Sequence, residues 1–236
     1  MKRLLIVSGF AFNLALCVFA QTQKRDVDIK GADGVNLKAT YYSPGRSGPG
    51  MLLLHQCNMD RHAWDGLAQD LANAGFHVVT LDFRGYGESG GERSQRDKWP
   101  GDADAAYSYL ISQKEVDKSR IAAGGASCGV TQSSDLAARH HEIKALMLLS
   151  GQASDAAKTY ISTTPSLPVF GAASAGDTGA AQGIKDAVGA SKNPQSTVKI
   201  YAGTEHGVPM FAKNPELEPF IVTWLKTQLA VKTSSR

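Results

Sequence analysis

The segment that most constrains this chain is Ile121-Ala122-Ala123-Gly124-Gly125-Ala126-Ser127-Cys128-Gly129-Val130, where a short apolar run ends in Gly-x-Ser-x-Gly and a helix-compatible stretch follows. In a strand-turn-helix setting this pattern makes a sharp turn that exposes the serine at a helix N-terminus. Only residues without bulk two positions before and after the serine let strand and helix pass so closely, which gives Gly125 and Gly129 a physical reason to be glycine. The expectation is an exposed, nucleophilic Ser127 hydroxyl. A serine hydroxyl is a poor nucleophile at neutral pH, so the chain must also supply a base, an acid that orients it, and donors for a developing oxyanion.

The first twenty residues are set apart from the fold. Lys2 and Arg3 precede an apolar stretch over residues 4–19, and Val18-Phe19-Ala20 has the spacing of a signal-peptidase site before Gln21. This predicts a signal peptide over 1–20 and a periplasmic or secreted domain over 21–236. Leu14-Ala15-Leu16-Cys17 resembles a lipoprotein signal, with Leu16 where a small residue is expected. Taking 20 residues from 236 leaves 216, enough for one domain with a substantial core. The same cut turns 25 basic against 22 acidic residues into 23 against 22, a balance that gives no reason to propose nucleic acid or an anionic membrane as partner. No further apolar run has spanning length. Without Cys17 two cysteines remain, Cys57 and Cys128; in an exported chain an even count invites a disulfide, and two small buried thiols are the alternative.

Residues 25–30 and 35–42 alternate apolar with polar around Asp33-Gly34, the pattern of an edge hairpin, and residues 44–49 form a turn-rich spacer. Short continuous apolar runs follow at 51–54, 76–81, 120–123, 145–149, 168–172 and 198–201, separated by stretches with helical spacing. Apolar strands alternating with helices predict a mostly parallel central sheet with helices on both faces and an antiparallel N-terminal hairpin. Ligands of such sheets bind at the carboxyl ends of the strands. Ser127 follows the third of these runs, Asp177 lies just past the fifth, and His206 just past the sixth, so all three are expected on one edge.

Of six histidines, His206 sits in a loop directly after a strand, with Gly203 and Gly207 to let it bend. His62 reads as a helix start, His77 as a strand residue, and His140-His141 as a helix end where positive charge suits the dipole. No metal-ligand spacing is present. Asp177 reads as the acid, with a turn or N-cap role as the alternative. The oxyanion donors are expected to be the backbone N–H of Cys128 and that of Cys57, in the loop Leu54-His55-Gln56-Cys57. Both mature cysteines then flank one small cavity, where a Cys57–Cys128 disulfide is expected as one of the two states.

The order Ser127, Asp177, His206, together with the elbow, resembles the α/β-hydrolases of the compact kind that includes dienelactone hydrolase-like proteins and serine esterases. The resemblance covers about residues 27–229. It implies a single α/β-hydrolase domain, and Leu81-Asp82-Phe83-Arg84-Gly85-Tyr86-Gly87-Glu88-Ser89 resembles the loop after the fourth strand of such enzymes, with Asp82 and Arg84 structural. Two departures stand out. The family usually carries His-Gly at the oxyanion loop, where this chain has His55-Gln56; and dienelactone hydrolases proper use a cysteine in Gly-x-Cys-x-Gly, whereas Cys128 is flanked at that spacing by Ala126 and Val130. Many relatives insert a lid before the acid; here residues 150–166 leave room for one helix. An open, shallow site follows, with Trp99, Tyr160, Met210 and Phe211 as candidate walls or, alternatively, core.

These features predict an exported serine hydrolase acting on a small-molecule ester or related acyl compound, without a cofactor. A peptidase or acyltransferase would use the same machinery, and a non-catalytic binding protein could retain the fold.

Overall fold

Uninterrupted apolar runs suit strands covered on both faces, and five of the six become inner strands of one eight-stranded sheet, whereas the run at 198–201 forms its edge strand with Val198 and Ile200 exposed. The computed structural model describes residues 22–230; the expected signal segment, residues 1–20, lies outside them. In chain order the strands are β1 (Gln23–Lys30), β2 (Asn36–Ser43), β3 (Gly48–Leu54), β4 (His77–Leu81), β5 (Val116–Ala126), β6 (Ile143–Leu149), β7 (Val169–Ser174) and β8 (Thr197–Tyr201). The helices are α1 (Asp65–Asn73), α2 (Trp99–Ser112), α3 (Cys128–Arg139), α4 (Asp155–Thr163), α5 (Thr178–Gly189), α6 (Met210–Lys213) and α7 (Leu217–Leu229).

The sheet order is β1-β2-β4-β3-β5-β6-β7-β8. β1 and β2 form the expected antiparallel hairpin, β2 pairs antiparallel with β4, and the remaining neighbours are parallel. From β3 the chain steps to β4 on one side and then to β5 on the other. The crevice between the carboxyl ends of β3 and β5 is therefore the switch point where such sheets bind ligands.

Alternate residues of the strands feed two cores. Leu52, Leu54, Leu146 and Leu148 pack with Ala106, Leu110, Val130, Leu136, Ile161 and Ile184 of the helices on one face. Met51, Leu53, Met147 and Leu149 pack with Leu67, Leu71, Ile221 and Leu225 of α1 and α7 on the other. The presumed spacer at 44–49 gives its last two residues to β3: Gly48 lies so close to the carbonyl of Gly75 that a Cβ there would overlap it. Between β6 and β7 the chain adds only α4, so the expected minimal lid is what forms. No helix among the described residues is long and apolar enough to cross a membrane.

The loop after β4 is fastened by two buried arginines. Arg61, in a 3-10 turn over Arg61–Trp64, pairs with Asp82, which also accepts its backbone N–H at 2.6 Å. Arg84 forks onto buried Asp102 with Nη2 at 2.6 Å and reaches exposed Asp33 with Nη1 at 2.7 Å. A buried ion pair contributes little beyond a well-packed apolar pair, but breaking it strands a charge. Arg84→Met is expected to cost about 3–5 kcal/mol by leaving Asp102 uncompensated, and Arg84→Met with Asp102→Leu to recover most of that loss, read by urea denaturation.

Candidate active site

Ser127 stands between the end of β5 and the start of α3 with φ 53 and ψ −118. A left-handed φ at a residue with a side chain costs on the order of 1–3 kcal/mol and persists only where the surroundings impose it. They do so here. Ser127 donates its N–H to Leu149 at 2.9 Å, and its carbonyl accepts from Val130 at 2.9 Å. A Cβ on Gly125 would overlap the Gly129 carbonyl, and one on Gly129 would overlap the Leu54 carbonyl. Strand, helix and the neighbouring strand end thus meet backbone to backbone, as the two glycines of the motif require.

Asp177 follows β7 and precedes the first residue of α5, where it could have capped its own helix. Its side chain makes no capping bond; Oδ2 lies 2.6 Å from His206 Nδ1 instead. The loops that carry the two are stitched together by Ser174 Oγ donating to Glu205 O at 2.7 Å and Gly176 N–H donating to Gly203 O at 2.8 Å. Gly203 and Gly207 both take positive φ, 111 and 71, so the bend expected of the His206 loop uses glycine's freedom. Ser127, Asp177 and His206 line one open cavity of about 340 Å³, together with Cys128, Thr131, Ser150, Gly151, Gln152, Gly179 and Ala180. Ser127 and His206 share this cavity without a hydrogen bond between them; contacts of this kind often tighten only when substrate is bound.

The backbone N–H of Cys128 belongs to the first turn of α3, which lacks intrahelical partners. Neither it nor the Cys57 N–H has a hydrogen-bond acceptor among the described residues. The two cysteines lie side by side, sulfurs at bonding distance and Cα atoms 5.8 Å apart. His55 is buried beneath them: Phe83 N–H donates to its Nε2 at 3.1 Å, so the proton sits on Nδ1, which donates to Gln56 O at 2.7 Å. Gln56 has an ordinary backbone, since only Ser127 and Ser150 among the described non-glycine residues take positive φ. The departure from His-Gly is therefore accommodated without strain.

Of the two alternatives for Trp99, Tyr160, Met210 and Phe211, packing rather than cavity wall is what the structure shows, since none of the four lines the cavity. Trp99 is buried and stacked on Phe83 with ring centres 4.7 Å apart, Tyr160 stacks on His141, and Phe211 packs edge-on to Trp64. Met210 lies one layer below the cavity, its Sδ 3.2 Å from Ser150 Oγ. Trp99 is thus part of the core, where its area is removed from water, whereas Tyr160 and Phe211 are half-buried at its margin. Ser150, Thr131 and Gln152 took their place unforeseen; Ser150 follows the carboxyl end of β6 and obeys the same edge rule as the other three. The remaining histidines make local contacts, His77 to Tyr41 at 2.6 Å and His140 to Asp104 at 2.9 Å. Among the described residues no group of three or more His, Cys, Asp or Glu is placed to hold a metal ion.

Residues 49–184 match the family described as alpha/beta hydrolase fold. Over 115 residues the chain is 36% identical to uncharacterized proteins from two strains of Mycobacterium tuberculosis, covering 48% of this chain and 41% of each relative. The chain thus spans about two fifths of the length of these curated relatives. Among solved structures it is similar to an esterase of Pyrococcus furiosus, with TM-score 0.74 and 18% identity over 88% of this chain and 92% of that one. A carboxylesterase cloned from a metagenomic library gives TM-score 0.68 and 16% identity over 88% and 89%. A dienelactone hydrolase-like phosphotriesterase from metagenomic libraries gives 0.62 and 22% over 78% and 83%.

Burial holds the His55 imidazole below the ordinary histidine range. Between the ordinary value of about 6.5 and the lowered one, the unfolded chain binds a proton that the folded protein does not, so stability rises with pH in that window. Its contribution is complete above about pH 6.5 and declines on acidification. The urea midpoint is expected to fall between pH 7.5 and pH 5, and to fall less in His55→Asn, which keeps a donor near Gln56 O.

Proposed function

Because the chain belongs to the α/β-hydrolase fold family, we propose that it is an exported serine hydrolase that cleaves a short carboxylic ester through an acyl-enzyme. The observation that carries this reading is the 2.6 Å bond from His206 to Asp177, made on the rim of the cavity that Ser127 also lines. An aspartate that forgoes its own helix cap for an imidazole fits a base-orienting role better than a turn role. Ser127 Oγ attacks the ester carbonyl; His206 Nε2 takes the hydroxyl proton and passes it to the departing alcohol, while Asp177 holds the Nδ1–H tautomer and stabilises the imidazolium. The N–H groups of Cys57 and Cys128 receive the charge on the carbonyl oxygen. Water then repeats the sequence and releases the acid. The esterases among similar structures support an ester as substrate, and adjacent cysteines suit an oxidising compartment.

The cavity side chains are small or polar, and a neighbouring hollow of about 290 Å³, which shares Gln152 and Gly179, adds Lys158, Gln182 and Asp186. Nothing here buries a long aliphatic chain. An apolar channel would contribute about 0.8 kcal/mol per methylene, roughly fourfold each. Across p-nitrophenyl esters from acetate to octanoate, kcat/KM is expected to stay flat or decline with chain length.

Ser127→Ala is expected to lower turnover of p-nitrophenyl acetate by several orders of magnitude with little change in Tm, and to abolish a fluorophosphonate adduct that mass spectrometry locates on Ser127 in the wild type. Undiminished turnover in Ser127→Ala would exclude the mechanism.

A further inference from the structure

We infer that Gln56 and Cys57 act as a two-sided positioning clamp on the oxyanion site: a Cys57–Cys128 disulfide ties the oxyanion loop to the nucleophile's turn, and the Gln56 carboxamide ties it to the histidine's loop. The inference rests on the hydrolase reading above and adds what holds that site in register.

The unit being held is the peptide group between Gln56 and Cys57. In a trans peptide the N–H points opposite the carbonyl. The Gln56 carbonyl accepts from His55 Nδ1 at 2.7 Å and from Met59 N–H at 3.1 Å, which commits the Cys57 N–H to the other direction, unpaired. The side chains on either side of this peptide reach the two other active loops. Buried Gln56 accepts the Val208 N–H through Oε1 at 2.9 Å, two residues beyond His206, and donates through Nε2 to Asn58 at 2.8 Å. Its carboxamide fills the space that a Cβ on Gly207 would occupy. Cys57 meets Cys128, and these are the two residues whose N–H groups are the proposed donors. Their bond therefore sets the separation of the donors directly. A glycine at position 56 could supply backbone freedom but no bridge to Val208; this chain has the bridge.

Reduction tests half of the clamp without a mutation. A dithiol reductant delivers two electrons and two protons; the Cys57–Cys128 sulfur–sulfur bond breaks, two thiols form, and the reductant closes to its own disulfide. An oxyanion donor contributes about 10²–10³ in kcat only when it is in place, and displacement by about 1 Å is enough to cost on the order of 10²-fold.

Tryptic digestion of the unreduced protein should give peptides 47–61 and 121–139 as one linked species. After dithiothreitol, kcat for p-nitrophenyl acetate should fall at least about tenfold with KM within about twofold. Affinity for a trifluoromethyl ketone, which places an oxyanion in the same hole, should fall in step with kcat, and reoxidation should restore both. Gln56→Met keeps the length and loses the acceptor, and in its oxidised form should show the same kcat loss with KM held. If circular dichroism shows that reduction unfolds the protein, Gln56→Met decides alone. Absence of the linked peptides, a smaller kcat loss, or a KM that rises as kcat falls overturns the clamp. Failure of the hydrolase reading is separately visible as an oxidised wild type with neither turnover nor fluorophosphonate label, and that result removes the clamp with it.

Discussion

Three backbones converge at the start of α3, and the rest of the site depends on their closeness. Gly125 touches Gly129, and Gly129 touches the carbonyl at the end of β3. Dispersion between such surfaces is weak per atom, but the steric condition is absolute: a single methyl at either glycine would meet a carbonyl oxygen. Once the backbones pass this closely, Ser127 must take a positive φ, and the free N–H groups of the first helical turn stand beside it. The same contact brings the loop after β3 alongside the elbow. One packing condition therefore delivers the proposed nucleophile, one candidate donor, and the neighbour carrying the second.

The other two residues arrive by a different route. β7 and β8 run parallel in register from Phe170 against Thr197 to Ser174 against Tyr201, so their following loops leave the sheet side by side. Side-chain and backbone hydrogen bonds then lock those loops together, and Asp177 is left facing His206. In the sheet β6 separates β7 from β5, but the His206 loop reaches the elbow directly, with Gly207 against Ala126 and Val208 bonded to Gln56.

Much of this arrangement was legible in the sequence because it rests on local rules. Apolar runs of four to six residues mark β3 to β8, Asp33-Gly34 the hairpin, and the carboxyl-edge rule assigns Ser127, Asp177 and His206 to one side; that the last run is the exposed edge strand is not visible in it. What was not legible depends on partners distant in the chain. Gly48 looks like turn punctuation until Gly75 packs against it. Trp99, Tyr160 and Phe211 could wall the site or pack elsewhere, and Trp99 on Phe83 shows that choice settled by a stacking neighbour sixteen residues away. Gln56 read as a departure from a pattern, and only the position of Val208 gives it a purpose.

The single helix α4 between β6 and β7 has a consequence for the fate of any intermediate. A cap that excludes solvent protects a reactive acyl group and lets a chosen acceptor compete with bulk water. Here Ser127 opens onto a shallow basin rimmed by Thr131, Gln152 and Gly179. On the proposed acyl-enzyme mechanism, water at about 55 M would reach the carbonyl across this open basin, which suits hydrolysis better than transfer to a dilute alcohol or amine.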